Sequence, residues 1–163
     1  MNGPEIAVVP EHDDDQELMT VLRRIAGTSP RDIMEVRMIV EPKAAAVSAA
    51  NARPADLVAI RNAHDLAVAS MESGTFEAWD GEFHKRIFES TRNDFLTTLH
   101  DILNAIRMRE NWVEIKRRTF DPEQRIIYCD EHAAIYAAIE SRDPARAASE
   151  MRRHIRTISR NLF

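Results

Sequence analysis

Helix-starting signals recur along this sequence and constrain what it can fold into. Proline follows a serine or an aspartate at Ser29-Pro30, Asp121-Pro122 and Asp143-Pro144. The polar side chain can cap the first helical turn, and proline suits the first helical position. Only four glycines occur in 163 residues. This scarcity disfavours a sandwich or barrel, which would need a turn about every 8–12 residues. The chain is therefore predicted to be all-α.

Between these signals, apolar residues recur at spacings of three and four, the period of an amphipathic helix. The pattern predicts a bundle of six or seven helices, in which the fifth is a long one, capped by Asn93 and running to about Arg118. Residues 1–14 contain two prolines and an acidic run, and are predicted to be a flexible arm or the remnant of a preceding region. Residues 15–163 are predicted to form one helical domain.

Charge and cysteine content exclude several classes of protein. The chain has 22 basic and 27 acidic side chains, a net charge of −5, which disfavours nucleic acid as a direct partner. The basic clusters at 116–118 and 152–160 are short and are interpreted as solvated helix faces or C-terminal turns. Cys129 is the only cysteine, which fits a reducing cytoplasm. No apolar run reaches the roughly 18 residues of a membrane span.

The apolar stripe of the fourth helix contains two polar residues that should not be there. Asp80 and His84 lie in a stripe that includes Phe76, Phe83 and Phe88. Burying a carboxylate and an imidazole is costly unless they are paired or bind a metal. Spaced i and i+4, they project from one face of the helix and can bind one ion. A hydrogen bond between the two that closes the core is the alternative.

Two later helices repeat this anomaly. His132 and His154 each interrupt an apolar stripe, whereas His64 and His100 have polar neighbours and are predicted to lie on the surface. A lone buried histidine is usually part of the core. Two of them together with an Asp–His pair favour a shared site for a divalent ion such as Zn²⁺, Ni²⁺, Mn²⁺ or Fe²⁺, because Asp and neutral His are ligands that suit these ions.

Arg37 borders the buried stripe of the second helix, and a partly buried arginine needs an anion. Its planar fork fits a carboxylate in a two-pronged manner. The anion can be a ligand, or it can be Glu41, four residues along the same helix. Arg107, beside Leu103 and Ile106, presents a weaker version of the same signal.

Taken in order, these motifs resemble the effector-binding C-terminal domain of GntR-superfamily transcription regulators of the FadR subgroup, the FCD domain. The resemblance covers about residues 30–160. Its motifs are Glu35-x-Arg37-x-x-x-Glu41 with the alanine-rich Ala44–Ala50, Asp80-x-x-Phe83-His84, Arg92-Asn93, Glu131-His132-x-x-Ile135-x-x-Ala138-Ile139, Arg142-Asp143-Pro144, and Met151-x-x-His154.

The resemblance implies an antiparallel helical bundle that holds a divalent metal through one Asp and three His, here Asp80, His84, His132 and His154. It also implies a small carboxylate effector bound by the metal and by the arginine that matches Arg37. Such regulators are usually dimers that bind DNA through a winged helix-turn-helix domain. Residues 1–28 supply no recognition helix, so DNA binding is expected only through a missing N-terminal domain.

The predicted function is therefore effector sensing, not catalysis. Arg107 and Tyr128, one turn before His132, are further candidate effector contacts. The rival interpretations are a small metal-dependent hydrolase-like enzyme and a bundle with a purely structural metal. The sequence disfavours the enzyme, because it offers no further Glu or His near the four candidate metal ligands that can be identified as a general base.

Overall fold

The structure is a computed structural model that describes residues 14–163. Within this range the chain forms eight helices: α1 (Asp14–Ala26), α2 (Pro30–Asn51), α3 (Pro54–Ala69), α4 (Ser73–Ser90), α5 (Asp94–Arg107), α6 (Glu110–Thr119), α7 (Pro122–Glu140) and α8 (Pro144–Leu162). The all-α prediction is confirmed. Residues 1–13 lie outside the described residues, so the predicted arm stays a prediction.

Side-chain caps start the helices where the sequence indicates. Ser29 accepts a hydrogen bond from the Asp32 backbone N–H at 3.2 Å. Asp143 accepts one from the Arg146 backbone N–H at 3.0 Å. Each such bond satisfies a donor that the first helical turn would otherwise leave free. The starts of α2 and α8 therefore follow from local chemistry.

The prediction of one long fifth helix is wrong, because this segment forms two helices, α5 and α6. The backbone leaves the helical conformation at Arg109, which is extended with φ −75° and ψ 152°. We call Met108–Arg109 the elbow. Past it, α6 turns so that Trp112 is only 1% exposed. Neither glycine nor proline marks the elbow, and the burial of Trp112 is favourable.

Four helices form the centre of the bundle. α2 packs against α4, α7 and α8, and α7 also packs against α8. Alanines at 44, 45 and 49 are fully buried on α2, and such small side chains let neighbouring helices approach closely. Around them lies a core of large apolar side chains: Phe83, Ile87, Ile135, Ile139, Met151 and Ile155. The polar residues that interrupt the stripes of α4, α7 and α8 consequently face one another inside this core.

Candidate metal centre and effector cavity

The structure brings together the four residues that interrupt the apolar stripes. Asp80 and His84 lie one turn apart on α4, His132 lies on α7 and His154 on α8. Their potential ligand atoms all lie within 4.8 Å of one another. Asp80 is 3% exposed and the three histidines are fully buried. We call these four residues the Asp–His cluster.

Ring nitrogen atoms of the three histidines and the carboxylate of Asp80 lie close together in the Asp–His cluster. The Nε2 atoms of His132 and His154 are 3.0 Å apart. His132 Nε2 is 3.5 Å from Asp80 Oδ1. His84 Nε2 is buried without a hydrogen-bond partner. A buried polar atom without a partner is unfavourable, and a cation at the centre of the cluster would satisfy all three nitrogens. One Asp and three His are a donor set that suits a borderline divalent ion.

A glutamate lies beside the Nδ1 atom of each of two histidines of the cluster. Glu41 Oε2 lies 2.7 Å from His84 Nδ1. Glu131 Oε2 lies 2.8 Å from His154 Nδ1, and Thr157 donates a hydrogen bond to the other oxygen of Glu131. A carboxylate at Nδ1 holds the proton on that nitrogen and leaves Nε2 free to bind a metal.

Sequence reasoning did not identify Glu41 and Glu131 as site residues. Glu41 entered as a partner for Arg37 and as part of a motif, and Glu131 only as part of a motif. The signal that could have found Glu41 is its position on the buried stripe of α2, four residues after Arg37. For Glu131 the adjacent His132 is the only local signal.

Burial sets the protonation of the cluster. Loss of solvent lowers the pKa of His132 well below its usual value and lowers that of His154 to about 3. Burial alone would raise the pKa of Asp80, but His84, His132 and Arg107 outweigh it and hold that pKa below the usual value. At neutral pH the cluster therefore contains an ionised carboxylate with neutral His132 and His154, the forms that bind metal ions.

The structure places Arg37 inside the protein. Its guanidinium is fully buried and binds both oxygens of Glu41, and a further N–H donates to Met34 Sδ at 3.6 Å. The alternative in which Glu41 is its anion is therefore the arrangement observed. Arg37 does not line the cavity described next.

Arg107 and Tyr128 line a small cavity beside Asp80. Arg107 Nη2 donates to Asp80 Oδ2 at 3.0 Å, and Arg107 Nε is buried without a hydrogen-bond partner. The Tyr128 ring centroid is 5.7 Å from that of His154. The cavity has a volume of about 30 Å³ and also contacts Lys116 and Arg125. Free hydrogen-bonding capacity and positive charge thus meet next to the Asp–His cluster.

Comparison with known proteins places the chain in a family. The family model described as the FCD domain matches residues 32–157. The chain belongs to the FCD domain family. The resemblance predicted from the ordered motifs is confirmed.

The relatives of this FCD domain are transcription regulators. It is 28% identical to the Uxu operon transcriptional regulator of Escherichia coli K12, over 82% of this chain and 54% of the relative. It is 26% identical to the Glc operon transcriptional activator of the same strain, over 86% of this chain and 59% of the relative. The chain thus spans little more than half the length of these curated relatives. Family and relatives together favour a regulator domain over an enzyme.

A solved structure shares the fold. A Streptococcus agalactiae GntR matches with a TM-score of 0.67 and 19% sequence identity, over 89% of this chain and 63% of that chain. At this identity the likeness concerns the fold alone. Within residues 14–163, none of the helices of this FCD domain combines the length and apolar composition needed to cross a membrane.

Three residues of this FCD domain differ from their predicted surroundings. His100 is not on the surface: it is 2% exposed, its ring centroid lies 4.9 Å from that of Phe88, and burial lowers its pKa to about 3. His64 is half-buried, with its ring centroid 6.4 Å from that of His132, yet it lies outside the cluster. Lys116 lies in a basic run interpreted as solvated, but its side chain is only 11% exposed. In each case contacts with distant residues decide the burial.

Proposed function

We propose that this FCD domain senses a small organic acid on behalf of a GntR-type transcription regulator in the cytoplasm. Asp80, His84, His132 and His154 hold a divalent metal ion, which offers its remaining coordination positions to a carboxylate. The observation that carries this proposal is the buried Asp–His cluster, with its unpartnered His84 Nε2, beside a cavity that presents Arg107. DNA binding belongs to an N-terminal domain of the parent regulator, which acts as a homodimer.

The effector contacts follow from the cavity. Arg107 binds the carboxylate, because its Nε has no hydrogen-bond partner. Its hydrogen bond to Asp80 also weakens once the Asp80 carboxylate binds a metal ion. The Tyr128 hydroxyl, which accepts a hydrogen bond from Asn161 at 2.8 Å, offers its own proton to the effector. Arg37 adds positive charge from behind Glu41, and reaches the effector only when that ion pair opens. An Arg107→Lys variant keeps the charge but loses the fork, so its carboxylate affinity should fall more than that of Arg37→Lys.

Metal binding is tested by elemental analysis of the purified protein and its His132→Ala variant. We expect the variant to lose most of its metal, because only three of the four ligands remain. His64→Ala is the matched control, because His64 lies against His132 without belonging to the cluster. Equal metal content in wild type and His132→Ala would contradict the shared site.

Effector binding is tested by calorimetry of the metal-loaded protein with a panel of small carboxylates. Saturable binding without turnover supports the sensor. Metal without binding of any carboxylate would leave the structural-metal alternative, and turnover of a probe would favour the hydrolase-like enzyme. The geometry disfavours the enzyme, because Glu41 and Glu131 are both engaged with histidines and neither is free to act as a general base.

A further inference from the structure

A row of alternating charges leads from the Asp–His cluster to α6. Asp80 accepts a hydrogen bond from Arg107, and Arg107 Nη2 lies 4.0 Å from Glu77 Oε2. The same oxygen of Glu77 contacts the ammonium of Lys116 on α6. We call Asp80, Arg107, Glu77 and Lys116 the cavity row. All four side chains line the cavity, so an effector that enters it meets every member of the row.

The charges around the cavity indicate the charge of its ligand. Three acidic and three basic side chains line it, namely Glu77, Asp80, Asp121, Arg107, Lys116 and Arg125. These charges balance as they stand. A divalent ion at the Asp–His cluster adds two positive charges. Asp121 is exposed, but Asp80 and Arg107 are buried, and uncompensated charge beside them is unfavourable, so a ligand with two negative charges restores the balance.

Lys116 is the member of the row that can receive a second acidic group. Burial lowers its pKa to about 7, so the ammonium depends on a neighbouring anion to stay charged. Its present partner, Glu77, is 22% exposed and can turn toward solvent. Lys116 is also carried by a helix that packs mainly against α5 and α8 and is joined to α5 through the elbow.

We propose that the effector is a dicarboxylate, whose first carboxylate binds at the metal and Arg107 and whose second takes Lys116 from Glu77. This inference rests on the proposed function and adds to it the class of effector and a specificity-determining residue. The present cavity of about 30 Å³ holds about one water molecule, so the dicarboxylate displaces α6 outward as it enters. Lys116 then ties α6 to the bound effector.

The test compares carboxylates that differ only by a second carboxylate in place of a hydrogen: acetate with malonate, propionate with succinate, and lactate with malate. Calorimetry is performed on the metal-loaded protein with each pair. In at least one pair we expect the dicarboxylate to bind about tenfold tighter or more, as a charge-assisted hydrogen bond implies. Lys116→Met should remove this preference and leave the affinity for the monocarboxylate unchanged.

Two further variants make the result specific to the ammonium. Lys116→Arg keeps the charge and should keep the preference. Arg117→Met changes the exposed neighbour on α6, which pairs with Glu114, and should also keep it. Metal content and circular dichroism of each variant confirm that the cluster and the fold are intact.

The outcomes separate this inference from the function on which it rests. Equal binding within every pair, or a dicarboxylate preference that survives in Lys116→Met, would overturn the role of Lys116 and leave the carboxylate sensor standing. Failure of all six probes to bind would overturn the sensor, and the inference with it.

Discussion

Two rows of charge start at the Asp–His cluster, and they differ in what surrounds them. On one side His84 contacts Glu41 and Glu41 binds Arg37, with exposures of 0–2% and both α2 residues on one helix. We call these three residues the packed row. On the other side, the cavity row of Asp80, Arg107, Glu77 and Lys116 crosses α4, α5 and α6 and reaches exposures of 11–22% at its far end. The packed row is buried from end to end, so opening it is costly, whereas the cavity row can exchange its partners for a ligand.

We therefore expect the two rows to have different roles: the packed row holds the cluster in place, and the cavity row binds the ligand. Removing one member of a fully buried pair leaves an uncompensated charge in the core, so the packed row holds the cluster rigid. The outer members of the cavity row can be resolvated, so breaking them costs little. The variants described below test these different roles, in decreasing order of expected effect.

Arg37→Met should have the largest effect on folding. It leaves Glu41 with only His84 as a partner in a fully buried position, and we expect a loss of about 3–5 kcal/mol in the free energy of unfolding. Urea denaturation followed by circular dichroism measures the change. Lys43→Met, at an exposed position of the same helix, is the control and should change little. A decrease of less than about 1 kcal/mol in the free energy of unfolding of Arg37→Met would show that the packed row contributes no more than an exposed ion pair.

Glu41→Gln should weaken metal binding more than any change to the outer cavity row. The amide keeps the shape of the side chain but no longer supports the Nδ1 proton of His84 with a charge. Loss of such a supporting carboxylate lowers metal affinity by about 10–100-fold. Competition with a chelator measures the affinity, and Glu35→Gln, exposed on α2, is the matched control. Unchanged affinity would show that Glu41 supports only Arg37.

Glu77→Gln should have a small effect on stability and none on metal affinity. Its ion pair with Lys116 is partly exposed, so we expect about 1 kcal/mol or less in the free energy of unfolding. The same urea and chelator measurements used for Glu41→Gln provide a direct comparison of the two rows. A loss of metal affinity as large as that of Glu41→Gln would contradict the different roles of the packed row and the cavity row.

Arg109→Ala should have the smallest effect. Arg109 is exposed at the elbow, and its guanidinium donates to the carbonyl of Ala26 at the end of α1. Without this bond we expect faster amide hydrogen exchange in the last turn of α1, with global stability changed by less than about 0.5 kcal/mol. Exchange rates equal to those of the wild type would show that the elbow does not restrain α1.

Local patterns predicted most of the helices and the four residues of the cluster. Asp80, His84, His132 and His154 were identifiable because each interrupts an apolar stripe, and a stripe is visible within a few turns of sequence. The caps at Ser29 and Asp143 were identifiable for the same reason. The prediction of a surface position for His100 was wrong, because its polar neighbours in sequence are not its neighbours in space.

The elbow shows where local patterns end. Residues 94–119 have no glycine or proline, so nothing in the sequence distinguishes one long helix from two. Burial of Trp112 and the contact between Lys116 and Glu77 decide in favour of two. α6 supplies Lys116 to the cavity, so this part of the lining could not be predicted without the fold, whereas Arg107 and Tyr128 were candidates from the sequence.

By itself, then, the sequence determined an all-α chain, the FCD family and the four polar residues that the core must accommodate. These depend on hydrogen bonds and side-chain periodicity within a helix, which act over a few residues. Only the tertiary structure decided that Glu41 and Glu131 support histidines, that Arg37 is occupied by Glu41, and that Lys116 faces the cavity. The contacts of Glu41 and Glu131 with histidines join different helices, and all of these features depend on which helix faces are buried. Burial removes water from the charged groups, so each pairs with the partner that packing places beside it.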